Sequence, residues 1–363
     1  MSARDAAGIR LFNQQIVHSS STSAADVVAR LGAIQAQDFR GALWSIGLRY
    51  PGSSIADVER AIDNREIVRT WPMRCTLHFV AAADVRWILQ LLTPRMVKGA
   101  AGRVRQLGLD EPAFVRSAKA LEKALRDGKS LTRDELYAVL ERAKIATGAQ
   151  RGTHILTRLS QDGLLCFASH RGSKPTFALL DEWVPKSRAL ARDEAMAELT
   201  LRYFRGHGPS GVRDLAWWAG ITLGQARAGV AMVASELEEV TIGKSTQYVA
   251  RDAATAPHTK RSVHLLPGFD EYLLGYTDRS IALDPAHAGV ILPGNNGMFL
   301  PTIVAGGRVV GTWKATAIKG TMVVTPSPFT TLSGRDVTSV VTAAKRYTEF
   351  ATRGDQDRPA RSR

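Results

Sequence analysis

The chain has 363 residues, 45% hydrophobic and 23% charged, which is enough apolar material for two or more globular cores; no apolar run reaches membrane-spanning length. Lys and Arg number 48 against 34 Asp and Glu, a formal charge of +14; with a sequence pI near 10.1, this surplus suits a polyanionic partner, nucleic acid foremost. Cys75 and Cys166 stand far apart, so neither a disulfide framework nor a zinc cluster is expected, a reducing cytoplasm fits, and the N-terminus lacks the apolar core of a signal peptide.

Helices are expected over Ala6–Gln14, Ala24–Gln35 and Ile55–Asn64, followed by an alternating stretch from Ile67 to Val80 that has the pattern of paired strands. A second run of helices covers Pro112–Leu125, a segment opened by a Thr132/Glu135 capping box, and Gly152–Gln161. Leu164–Phe167 and Thr176–Leu179 then form a hairpin with a basic tip, giving the helix, helix, helix, hairpin order of a winged helix. The same order returns in Glu194–Phe204, a short helix opened by Ser210–Leu215, Thr222–Glu236 and the hairpin Val240–Val249. Beyond Pro257 short strands with glycine turns suggest a small β-barrel, closed by a helix over Asp336–Phe350 and a polar tail. The predicted class is α+β, with modules at 1–108, 109–190, 191–256 and 257–350, and a tail at 351–363.

Gln35 and Gln37, in Ile34-Gln35-Ala36-Gln37-Asp38, are the first candidate site residues. An amide does not titrate near neutrality, but its carbonyl accepts and its NH₂ donates, so a pair can hold a water or a sugar without acting as a strong base. Both face one side if the segment is extended and diverge if it is helical, so the helix is taken to end at or near Gln35. Taken alone, the pair is better explained as polar residues at a helix end that only bond backbone. Asp38 precedes the next helix and is expected to cap it, although a carboxylate there is also a candidate general base. His78 either lines a site or is a hydrogen-bonded strand histidine. Arg95, Lys98, Arg103 and Arg105, with His170, Arg171 and Lys174 at the second wing, are candidate phosphate contacts, and each is also explicable as a solvated charge.

Other apparent motifs fail on context. Gly206-His207-Gly208-Pro209-Ser210-Gly211 follows a helix and contains proline, so it is a turn and not a dinucleotide loop. Gly128-Lys129-Ser130 and Gly243-Lys244-Ser245 lack the glycine that a phosphate loop needs five positions earlier, and the eight histidines show no paired ligand spacing. No metal or other cofactor is expected.

Four motifs in order, Ala33-Ile34-Gln35-Ala36-Gln37-Asp38, Trp71-Pro72-Met73-Arg74-Cys75-Thr76-Leu77-His78, Leu266-Pro267-Gly268-Phe269-Asp270-Glu271-Tyr272-Leu273-Leu274 and Gly311-Thr312-Trp313, resemble the AlkZ/YcaQ-type bacterial DNA glycosylases. The resemblance runs to about Phe350. It implies three tandem winged helices and a β-barrel forming a C-shaped clamp on double-stranded DNA, with Gln35 and Gln37 as the catalytic pair. Gln37, where the YcaQ-like members carry Asp, places the resemblance on the AlkZ branch, which removes N7-alkylated purines, including bulky adducts and interstrand cross-links made by antibiotics. The implied activity is a monofunctional glycosylase acting on such cationic purines, with self-resistance to an alkylating natural product as one setting. A monomer associated with the nucleoid, with no membrane partner, is expected.

The chemistry is consistent with those residues. N7 alkylation makes the purine a cationic leaving group, so the glycosidic bond breaks with little acid assistance, leaving the enzyme to stabilise C1′ and aim a water. Gln37 is suited to orient the water, and Gln35 to hold the water, sugar or a phosphate. The clamp that the resemblance implies would put the long connection from Gly275 to Gly297 and the Ala305-Gly306-Gly307 turn at the minor groove opposite the lesion. Two other classes share these features: a winged-helix transcription regulator or nonenzymatic DNA-binding protein, and a protein that shields lesions without cutting. The glutamine pair distinguishes the enzyme from the regulator.

Overall fold

The computed structural model describes residues 1–253, 262–295, 297–318 and 321–353, so most of the tail assigned to 351–363 lies outside the described residues. The chain divides into two compact units, Met1–Glu59 together with the chain from Met196, and Arg60–Ala195. The boundary falls inside the first predicted module.

The first unit begins with α1 (Ala3–Asn13), opened by a capping box between Ser2 and Asp5. Helix α2 (Ala24–Leu31) is capped by Ser23 and stops at Gly32, whose φ of +80° suits glycine. It therefore ends about one turn before Gln35, and Ile34–Gln35 instead form a short strand, β1, before α3 (Phe39–Arg49). Helix α4 (Ile55–Asp63) carries the chain across the boundary between the units.

The second unit opens with a hairpin of β2 (Ile67–Met73) and β3 (Thr76–Ala81), as the alternating sequence predicts. A long helix follows, α5 (Val85–Gln106), then α6 (Glu111–Leu125), β4 (Leu131–Thr132), α7 (Arg133–Arg142), α8 (Arg151–Gln161), β5 (Leu165–Phe167), β6 (Thr176–Leu179) and the turn α9 (Leu180–Trp183). The predicted capping box is present: Thr132 Oγ1 accepts from Glu135 N–H at 3.4 Å, and Glu135 Oε2 accepts from Thr132 N–H at 2.7 Å. Strands β3, β2, β5, β6 and β4 lie side by side in that order. One core joins Trp71, Phe114, Leu121, Leu136, Ile155, Phe167 and Phe177, with the Trp71 and Phe167 rings 5.2 Å apart. Trp71 of the second motif is thus a core residue.

The chain returns to the first unit through α10 (Arg192–His207), followed by α11 (Val212–Ala219), α12 (Leu223–Met232) and the hairpin β7 (Leu237–Ile242)/β8 (Ser245–Ala250). After β9 (Val263–Leu266) come the helical turns α13 (Glu271–Leu274) and α14 (Ala288–Ile291), then β10 (Thr302–Ala305), β11 (Arg308–Ile318), β12 (Thr321–Pro328) and α15 (Gly334–Thr352). The expected barrel does not close among the described residues. These strands form an open antiparallel sheet in the order β12-β11-β10-β9. Pro326 and Pro328 give β12 the character of an edge strand, and α15 packs against β9 and β12. Trp44 of α3 ties this sheet to its own helix by donating Nε1–H to Leu265 O at 2.7 Å. It also meets Tyr347 and Phe350 of α15 at 5.2 and 5.1 Å between ring centroids.

Candidate active site

The glutamine segment lies in the first unit, between the end of β1 and the start of α3. Gln35 is 7% exposed, whereas Gln37 is open to solvent in a bend and Ala36 between them is buried. The strand ends at Gln35 and Gln37 lies in a bend, so the extended form that the i, i+2 spacing called for is present at Gln35 only. Because the chain bends before α3, the two amides occupy different environments: one is anchored in the fold and the other is presented.

The anchoring comes from α13. Gln35 N–H donates to Glu271 Oε1 at 3.3 Å, and Glu271 Oε2 accepts from Trp218 Nε1–H at 2.8 Å and lies 3.3 Å from His207 Nε2. Its neighbour Asp270 takes both arms of Arg49, at 2.8 Å each, and the Ser45 hydroxyl at 2.8 Å. Burial alone would raise the Asp270 carboxyl, but the Arg49 charge and its hydrogen bonds outweigh it and hold Asp270 below the usual carboxylate range. None of Arg49, Asp270 and Glu271 stood out as a site residue in the sequence. The signal was present: two adjacent acids between the apolar runs of Leu266–Leu274 must be buried, and buried acids need partners.

Asp38 stands at the N-cap position of α3, as expected, yet its side chain makes no capping hydrogen bond. The carboxylate instead folds over the first turn, where a Cβ at Gly41 would lie 2.6 Å from Asp38 Oδ2. Asp38 is exposed, one residue from Gln37. His78, in the second unit, has no exposed surface: it accepts from Arg74 Nη2 at 3.1 Å and donates Nδ1–H to Thr76 O at 3.0 Å. Burial and the Arg74 charge push its imidazolium well below the usual histidine value. His78 is thus a buried, hydrogen-bonded residue of a strand, with no exposed surface of its own.

The expected cations fall into two kinds. Arg95, Lys98 and Arg105 are exposed on α5 and carry no ion pair among the described residues; their spacing puts them on one helix face. Arg103 donates to Gln150 Oε1 at 3.0 Å and Gln106 Oε1 at 3.4 Å. At the wing, Arg171 pairs with Glu135 at 2.8 Å and Lys174 with Asp134 at 3.3 Å, so α7 already offsets two of its charges, while His170 stands half-buried beside them. The Ala305-Gly306-Gly307 turn packs inward, with Tyr272 Oη–H donating to Gly307 O at 2.7 Å. The outer parts of β11 and β12 are the hairpin that stands exposed. No described helix is long and apolar enough to cross a membrane, and no group of three or more His, Cys, Asp or Glu among the described residues is placed to hold a metal.

The site thus has a buried carboxylate bonded to the Gln35 backbone and an exposed amide at Gln37, two residues on. The family model "DNA glycosylase AlkZ-like" matches residues 28–350, and the chain belongs to that family of DNA glycosylases. It is 30% identical over 347 residues, 88% of this chain and 89% of the relative, to the interstrand DNA cross-link repair glycosylase of Streptomyces sahachiroi. The solved structure of Streptomyces sahachiroi DNA glycosylase AlkZ is similar at a TM-score of 0.81 and 27% identity, covering 96% of each chain.

Proposed function

We propose that this DNA glycosylase hydrolyses the N-glycosidic bond of cationic N7-alkylated purines and unhooks interstrand cross-links, in the cytoplasm, as a monomer. The observation that carries this reading is the pairing of an anchored Gln35 with a presented Gln37, at a site where both residues are amides. Loss of an N7-alkylpurine needs no proton delivered to the base, since the base already carries the charge. As the bond to C1′ lengthens, positive charge passes to the sugar; the Gln37 carbonyl accepts from a water and orients its oxygen toward C1′, and Gln35 restrains the water or sugar. The products are the neutral free base, an abasic site carrying the water's hydroxyl at C1′, and a proton released to solvent.

In this reading the three helix, helix, helix, hairpin runs are winged-helix modules that grip double-stranded DNA, with the α5 face and the 170–174 wing on phosphates. A base cross-linked to the opposite strand cannot be swung out freely, so an open site suits such a substrate better than a deep flipping pocket. The relative's name as a cross-link repair glycosylase supports the same substrate class, and self-resistance to an alkylating natural product is the biological setting we infer. The test is duplex DNA containing N7-methylguanine, assayed for free base and abasic sites. Binding without release would favour the reading of a lesion-shielding protein.

A further inference from the structure

The acidic doublet Asp270-Glu271 touches both flanks of the glutamine segment. Upstream, the chain turns at Gly32 beneath Trp218, whose Cη2 lies 3.3 Å from where a Cβ on that residue would stand. The same indole donates to Glu271 Oε2 at 2.8 Å, and the other carboxylate oxygen takes Gln35 N–H at 3.3 Å. Downstream, α3 is tied to Asp270 through Ser45 and Arg49, at 2.8 Å for each bond. Two successive residues of one helical turn therefore hold the strand before Gln37 and the helix after it.

Glu271 itself is fully buried, and no Arg or Lys is among its hydrogen-bond partners in the described residues. Its donors are the Gln35 backbone, the Trp218 indole and His207. A buried carboxylate held this way is a poor source of stability, since an apolar side chain of similar volume commonly serves a core as well or better. What an apolar side chain cannot do is accept the Gln35 N–H. We propose that Glu271 is a positioning residue of the glycosylase, fixing the backbone at Gln35 so that Gln37 is presented in one place. The proposal rests on the reading of the glutamine pair as catalytic.

The test is single-turnover release of N7-methylguanine at saturating enzyme, with DNA affinity and amide hydrogen exchange measured on the same proteins: wild type, Q37A, E271A, E271Q and W218F. E271A is expected to slow release about 10²-fold, the scale of a displaced catalytic group, with the Kd for DNA nearly unchanged. E271Q, which keeps an oxygen for Gln35 N–H, is expected to recover most of that loss. W218F leaves a ring over Gly32 but removes one donor to the carboxylate, so a slowing of about threefold is expected. Exchange should accelerate in the peptide spanning residues 32–38 and stay unchanged in α1 and α15. Should E271A fail to fold, E271Q and W218F still carry the comparison. Wild-type release by folded E271A, or by W218F where E271A does not fold, beside a slow Q37A would overturn the brace alone, as would exchange that rises evenly throughout the first unit. Wild-type release by Q37A would instead overturn the glutamine reading.

Discussion

The segment around Gln35 and the wing at residues 170–174 use charge in opposite ways. Behind Gln35 the charges are out of water: the side chains of Arg49 and Asp270 are 0% and 2% exposed, and they meet in a two-pronged ion pair. At the wing, Arg171 and Glu135 are 54% and 43% exposed, and Lys174 and Asp134 are 66% and 78% exposed. Pairs of the second kind contribute little to stability and are screened by salt, whereas breaking one of the first kind strands a buried charge. The buried network is suited to hold geometry, and the exposed one to tune attraction to a polyanion.

The most severe break of this comparison is at the presented amide. Q37A is expected to lower single-turnover release of N7-methylguanine by about 10²- to 10³-fold while DNA affinity is largely retained, and Q35A should also impair release. Wild-type rates in both, with folding checked by circular dichroism, would return the pair to the role of polar residues at a chain bend.

The next largest effect is on stability. D270A leaves Arg49 buried without its partner and is expected to cost about 3–5 kcal/mol in denaturant unfolding. The pH dependence has a definite sign: Asp270 is depressed in the folded state, so its contribution is present above the unfolded carboxylate value near 3.8 and is lost as pH falls through the lower folded value. D270N should remove that part of the acid limb. A cost below about 1 kcal/mol would place the pair with the surface bridges.

Much of this contrast was legible before the fold. The Thr132/Glu135 capping box, the alternation over Ile67–Val80 and the apolar periodicity of α6 are local signals, and local signals locate elements. The long α5 was not, because its sequence is broken by Pro94 and by the basic residues from Arg95 to Arg105, which hide its apolar face. The barrel prediction failed because short strands with glycine turns are compatible with open and closed sheets alike, and the prolines of β12 had to be weighed as edge markers. The brace was hidden for a different reason: Gln35 and Glu271 lie 236 positions apart, and no periodicity links residues so distant. Gln35 stands out by its motif, whereas the motif that contains Glu271 shows an acid that needs a partner but not which residue it holds.

Salt dependence sharpens the surface side of the comparison. Neutralising Arg171 and Lys174 should weaken binding to unrelated duplexes and flatten log Kd against log salt, by at most about 0.9 per cation that meets a phosphate. Because α7 already partners both, the change should be smaller than for neutralising Arg95, Lys98 and Arg105, which carry no ion pair among the described residues. Fluorescence anisotropy at several salt concentrations separates the two; an unchanged slope at either patch removes it from the interface.

The smallest expected effect is of pH on release. Neither Gln35 nor Gln37 titrates, and the buried His78 and His264 lie below neutrality: burial and the Arg74 charge depress His78 well below its usual value, and burial with Arg346 and Arg49 brings His264 to about 4. Between pH 6.5 and 9 the rate should therefore be nearly flat. Below that range both histidines bind protons more readily unfolded than folded, so stability falls as pH drops from the unfolded value near 6.5 toward the folded one. An acid loss of activity should thus coincide with unfolding seen by circular dichroism. The same reasoning requires a leaving group that is already cationic, so uracil in an otherwise identical duplex should be released poorly or not at all. Efficient uracil excision, or a rate that rises with one ionisation near neutrality while the protein stays folded, would assign the chemistry to a titrating base, with exposed Asp38 beside Gln37 the first to examine.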